Sequence, residues 1–171
     1  MDMKALFNIT YGMYVVCTEL EGRLNGQVAN AVMQITSEPV CVSTCLHKAN
    51  LTTEMIAKSG RFSVSILERD VPMIFLGKFG FKSGRNIDKF ADTKYRLADS
   101  GDPIVEDWSV AAFDAKVIRT VDLPSHVLFI GEVTQSMFFK DAPLLTYHDY
   151  HTIKRGKSPK TAPTFGFNKV K

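Results

Sequence analysis

Apolar and polar residues alternate along most of this chain in short runs with a period of two, the pattern of strands buried on one face. Tyr11 to Glu19 and Gln27 to Thr36 predict two strands flanking a polar connection through Glu21-Gly22-Arg23, and Pro39 to Cys45 predicts a third. Asn50 or Thr52 can cap a helix over Leu51 to Lys58, with Glu54 in its first turn and Gly60 just past its end. Phe62-Ser63-Val64-Ser65-Ile66 then alternates, which places Phe62, Val64 and Ile66 on one face. Asp70 is expected to cap a second short helix, Val71 to Gly77, with Pro72 in its first turn. Residues 86–90 predict a single helical turn and residues 101–108 a connection. Two long strands follow, Val110 to Thr120 and Val127 to Phe139, joined through Asp122-Leu123-Pro124-Ser125. In the first, Asp114 and Lys116 interrupt an apolar series and predict a wetter face. The sum is a mainly β chain with a few short helices.

The length of 171 residues suits one domain over residues 1–153, followed by a tail from 154 to 171 whose Lys and Pro content is that of a linker. No apolar run approaches the roughly 20 residues that span a bilayer, and Met1-Asp2-Met3-Lys4 lacks a signal-peptide pattern, so a cytoplasmic protein without a membrane partner is expected. The net charge of +3 comes from scattered cations and argues against a nucleic-acid partner. Cys17, Cys41 and Cys45 include no C-x-x-C pair, so neither a metal site nor a disulfide framework is indicated.

The candidate chemistry begins at Phe79-Gly80-Phe81-Lys82-Ser83-Gly84-Arg85, which continues to Lys89 and Phe90. Gly80 and Gly84 let the backbone approach an anion, Ser83 and main-chain amides can donate to phosphate oxygens, and Arg85 can grip them in two places. A solvated basic turn is the alternative, since the spacing is neither that of a P-loop nor G-x-G-x-x-G.

Further blocks change the picture. Asn25 to Val32, Ser37 to Thr52, Ser59 to Ser65 and Ser125 to Val133 together resemble, in order and over nearly the whole chain, the flavin-reductase family of FMN-binding split barrels. The similarity is strongest to the flavin-reductase half of high-molecular-weight rubredoxins and to flavoredoxin-like proteins. The resemblance implies a Greek-key split β-barrel that binds FMN, reduces it with NADH or NADPH, and passes electrons to an acceptor. An electron carrier that exchanges electrons with rubredoxin- or ferredoxin-type partners is the alternative. It implies that Gln27, Val28, Ala29 and Asn30 border the flavin ring. The Thr44, Cys45 and Leu46 turn, with Lys48, Asn50 and Thr52, would meet the phosphate or ribityl oxygens, joined by Phe79, Gly80, Ser83, Gly84, Arg85 and Lys89. His126 falls in the block near the flavin face where the nicotinamide stacks, with an orienting role. Tyr147, Tyr150 and His151 lie where the family places residues near the cofactor or a subunit boundary. A homodimer is implied, and so is a separate rubredoxin-like partner, because no cysteine follows Cys45.

Overall fold

The computed structural model describes residues 3–165. After a 3-10 helix at Met3–Asn8, strands β1 (Tyr14–Leu20) and β2 (Arg23–Ala29) form a hairpin. Its turn, Glu21-Gly22, holds both residues at positive φ, a conformation glycine adopts without steric cost. The predicted strand over 27–36 is interrupted. Asn30 and Ala31 turn the chain, with Val32 N–H donating to Asn30 C=O at 3.1 Å, and β3 (Val32–Ser37) begins anew. β4 (Val40–His47) pairs back along β3 with an irregularity between Gln34 and Thr36, where one additional residue, Ile35, sits on the β3 side.

Helix α1 (Leu51–Ser59) ends on Gly60 in the left-handed region, as the sequence predicts. Asn50 occupies the N-cap position but makes no capping side-chain bond; its carbonyl accepts from Thr53 and Glu54 instead. After β5 (Arg61–Leu67), helix α2 spans Met73–Phe81, two residues later than expected at its start. Val71 is fully buried and anchors the chain before the turn, Pro72 takes the N-cap position, and Asp70 stays exposed beside Arg69. Phe79, Gly80 and Phe81 therefore close α2, and the loop begins at Lys82.

The stretch expected to be a connection contains a strand. β6 (Tyr95–Leu97) pairs with β7 (Pro103–Val105), and the latter packs on β5 through serines: Ser63 Oγ donates to Pro103 C=O at 2.6 Å and Val105 N–H donates to Ser65 Oγ at 3.0 Å. Both faces of β5 are thus buried, one by packing and one by hydrogen bonds. β8 (Ser109–Asp122) and β9 (His126–Phe138) complete the main sheet, and α3 (Tyr147–Thr152) follows, capped by the Thr146 hydroxyl. Asp114, read as part of a wet face, is buried in β8 and bonded to Thr134 at 3.1 Å.

All pairs in the seven-stranded sheet are antiparallel, in the order β2-β1-β5-β8-β9-β4-β3. The two outermost strands are consecutive in sequence. Ala29 and Val32 stand at most roughly 11 Å apart along the chain, so the sheet must curl until its edges nearly meet. Its concave side encloses Val16, Val42, Leu46, Ile56, Phe62, Val64, Ala115 and Phe129. A second core, built on Val15, Cys17, Leu67, Phe75, Leu76, Phe79, Phe90, Tyr147 and Tyr150, packs α2 and α3 on the other side of β1.

Candidate functional site

A cavity of about 300 Å³ opens beside the gap between the two edge strands. Val28 and Ala29 of β2, Leu46 of β4 and Phe79 of α2 give it apolar walls, and Asn25, Gln27, Asn30, Thr52, Lys82, Ser83 and Lys89 give it polar ones. Strand alternation accounts for the mixture, because a twisting edge strand presents residues of both faces to a groove at its margin. The Gln27 side-chain oxygen is buried with no hydrogen-bond partner among the described residues. An orphaned acceptor of that kind costs free energy unless a ligand donates to it.

One end of the cavity suits an anion. The start of α1 contributes Asn50, Leu51 and Thr52, whose amides and the helix dipole favour negative charge. Asn25 Nδ2 donates to Thr52 Oγ1 at 2.9 Å and holds that hydroxyl in place. Gly84 approaches so closely that a Cβ there would lie 2.0 Å from Asn25 Oδ1, so any larger residue would push the Asn25 amide aside. Lys82 and Ser83 sit on the same wall, and Gly80 lies against Val28.

Lys89 lines the cavity too, but its ammonium is occupied. It donates to Gly26 C=O at 2.8 Å and to Phe79 C=O at 3.3 Å, tying β2 to the end of α2. Burial lowers its pKa to about 8. Arg85 lies elsewhere: it pairs with Glu54 and borders a separate polar groove with Arg23 and Tyr95. Lys48 is likewise outside the cavity lining, paired with Asp122 at 2.6 Å. A cation with a carboxylate within reach relaxes onto it, which sequence spacing cannot reveal.

On the β4 side, Cys45, Leu46 and His47 line the cavity, while Thr44 is outside the lining, buried with a hydroxyl that has no partner among the described residues. His126 is opposite His47 in the β4–β9 pairing and lies edge-on to its ring, with centroids 5.0 Å apart. Its Nδ1 meets Ser125 Oγ at 2.8 Å, and its buried Nε2, with the Thr161 backbone nearby, makes no well-formed hydrogen bond among the described residues. Burial and then the neighbouring His47 lower its pKa, partly offset by the Thr161 backbone. His126 is thus one ring behind the cavity wall, and His47 is the imidazole on that wall.

The tail closes the remaining side. Ser158, Pro159, Thr161, Ala162 and Pro163 line the cavity. Asn30 Nδ2 donates to Thr164 Oγ1 at 3.1 Å, Thr164 donates to Tyr147 OH at 2.6 Å, and Tyr147 OH meets Ser158 Oγ. Tyr150 OH donates to Lys157 C=O at 2.8 Å, and Gly156 faces the Tyr150 ring so closely that any Cβ there would clash at 2.2 Å. Linker-like composition conceals this, because the segment is held by hydrogen bonds and proline packing and has no apolar stripe. Asn25, His47, Lys82, Tyr147 and Ser158 are among the lining residues not expected from the sequence to be cofactor ligands. For Asn25 and His47 the signal existed, since each lies within a block that carries the family resemblance.

Among the described residues, no group of three or more His, Cys, Asp or Glu is placed to hold a metal ion, and no helix is long and apolar enough to cross a membrane. The model of the flavin reductase like domain matches residues 6–154. The NAD(P)H ferric-chelate reductase of Archaeoglobus fulgidus is 44% identical over 165 residues, covering 96% of this chain and 98% of the relative. The high molecular weight rubredoxin of Moorella thermoacetica is 45% identical over 171 residues, covering 100% of this chain and 75% of the relative. The solved flavoredoxin from Methanosarcina acetivorans shares the fold with a TM-score of 0.70 at 20% identity, over 77% of this chain and 70% of that one.

Proposed function

Because the chain belongs to the family of flavin reductase like domains, we propose that it is an FMN-dependent oxidoreductase, reduced by NADH or NADPH and oxidised by a separate acceptor. The observation that carries this reading is the cavity with three chemically different surfaces. FMN has an apolar ring system with a hydrogen-bonding edge, a polyol and a dianionic phosphate. Val28, Ala29, Leu46 and Phe79 would hold the ring, and the orphaned Gln27 oxygen would accept from its edge. The start of α1, Thr52, Lys82 and Ser83 would hold the phosphate. Bound FMN supplies the group that takes a hydride from a nicotinamide and returns the electrons to an acceptor. The protein's part is to bind and orient, and to keep water from the ring with the strap of residues 158–163. The acceptor class we assign is a ferric chelate or a small iron protein such as a rubredoxin.

Stopped-flow absorbance of the flavin-loaded protein, mixed anaerobically with NADH and then NADPH, tests the reading. Rapid bleaching of the flavin band by either is the expected result. The strap favours a second reading, an electron carrier, because it covers one side of the ring site. Resistance to both nicotinamides with fast reduction by a reduced ferredoxin would establish the carrier instead.

We also read the curled sheet as a split barrel that pairs with a second copy at its β3 end, where Met33 is 62% exposed. Sedimentation velocity should give a dimer that Met33→Lys weakens.

A further inference from the structure

The proposed reaction leaves a proton to be disposed of. A nicotinamide hydride carries two electrons and one proton, whereas two one-electron acceptors such as ferric chelates take electrons only. The balance is NAD(P)H + 2 A → NAD(P)⁺ + 2 A⁻ + H⁺, so one proton per turnover must leave a cavity covered by the strap. We propose that Tyr147, Ser158 and His151 form a proton relay from this cavity to solvent; the role rests on the reading above.

The hydrogen bonds fix a direction. Asn30 can only donate from Nδ2, so Thr164 accepts there and spends its own proton on Tyr147 OH at 2.6 Å. The phenol then donates to Ser158 Oγ. Ser158 in turn meets His151 Nε2 at 3.3 Å, and His151 Nδ1 lies 2.9 Å from Gly156 C=O. A carbonyl only accepts, so Nδ1 carries the hydrogen and Nε2 of the neutral ring accepts from Ser158. Every hydroxyl therefore donates the same way, from the gap between the edge strands toward His151.

Tyr147 and Ser158 line the cavity and are buried, while His151 is partly exposed. The chain thus begins at the ring site and ends at water. When Ser158 gives its proton to Nε2, it takes that of Tyr147, and Tyr147 is reprotonated from the cavity. The imidazolium so formed releases a proton to solvent. One proton moves and no oxidation state changes. Imidazole suits the terminal position because it exchanges protons near neutral pH.

Two experiments test the relay. In the flavin-free protein, ¹⁵N NMR of His151 should show the Nδ1–H tautomer, and Ser158→Ala should shift the ring toward a mixture. In the holoprotein, photoreduction followed by mixing with a ferric chelate and a pH indicator reads electron loss and proton release separately, without using a nicotinamide. With FMN at saturating concentration, Ser158→Ala, Tyr147→Phe and His151→Ala should each slow proton release by about 100-fold, and added imidazole should restore the His151→Ala rate. Tyr147→Phe keeps the ring packing and serves if Ser158→Ala does not fold. Unchanged proton release, loss that tracks FMN affinity without imidazole rescue, or a protein that takes up no flavin would overturn the relay. Failure of both nicotinamides to bleach the flavin, with the photoreduced protein still showing the relay, would overturn the reductase reading alone.

Discussion

Asn30 and Thr164 share a 3.1 Å hydrogen bond across 134 residues of sequence, and it fastens the C-terminal strap to the gap between β2 and β3. The cavity is thereby assembled from two regions that neither strand pairing nor helix packing would bring together.

Removing residues 156–171 should uncover the cavity. FMN affinity should fall by at least about tenfold, the order expected when one or two hydrogen bonds and a packed wall are lost, while the far-ultraviolet circular dichroism keeps its β signature. Flavin fluorescence titration gives the affinity. An unchanged dissociation constant would show that the strap merely rests on the site.

Lys82 lines the anion end and has no ion pair among the described residues, whereas Arg85 already holds Glu54. Lys82→Ala should weaken FMN by about 1.5 to 3 kcal/mol, the range for a hydrogen bond to a charged group, and should affect riboflavin much less. Arg85→Ala should cost about 1 kcal/mol or less, as for an exposed pair. Calorimetry with both ligands distinguishes them; equal losses for FMN and riboflavin at Lys82 would remove its assignment to the phosphate.

Gly84→Ala tests the close approach to Asn25. The new Cβ would collide with Asn25 Oδ1 at 2.0 Å, displace the amide and free Thr52 from its bond. Weaker FMN binding with a cost of about 1 to 3 kcal/mol in stability is expected, the range for overpacking. Wild-type behaviour in both assays would mean that the loop yields without strain.

The opposite end of the sheet should respond to acid. Burial pushes Asp102 up to about 6, countered by the Glu19 backbone N–H at 2.8 Å and by Arg61 at 3.1 Å, with Asp114 adding to the rise. A carboxyl raised in the folded state holds its proton more tightly there than in the unfolded chain. Its stabilising contribution is therefore full below about pH 4 and lost as pH climbs to about 6. Relative to Asp102→Asn, the unmodified protein should lose up to about 3 kcal/mol across that window. Urea unfolding at pH 4, 5 and 6 measures it, and a difference that stays constant with pH would refute the assignment.

Much of this molecule is legible from its sequence because the signals are local. The period-two runs mark β1, β4, β5, β8 and β9, and Gly60 marks the end of α1. Where the sequence misleads, the deciding interaction is remote. Period-two alternation sets Ser63 and Ser65 opposite Phe62 and Val64, but the partners that bury them, Pro103 and Val105, are remote in sequence. Asp114 reads as solvated until Thr134 and the surrounding sheet bury it. At the site, the residues on β2 and around α1 gather because register and helix geometry dictate it. Lys48 and Arg85 do not, since Asp122 and Glu54 compete for them. His126 is legible as a site-proximal imidazole, but only the pairing with His47 reveals which ring faces inward.

The additional residue in β3 bears on solubility. β3 ends the sheet, and a regular edge strand with Met33 exposed would offer a template on which other chains could add strands. Ile35 interrupts the register between Gln34 and Thr36 and bends that edge out of a flat ladder. Deleting Ile35 would restore an unbroken edge and make the chain more prone to add strands into fibrils.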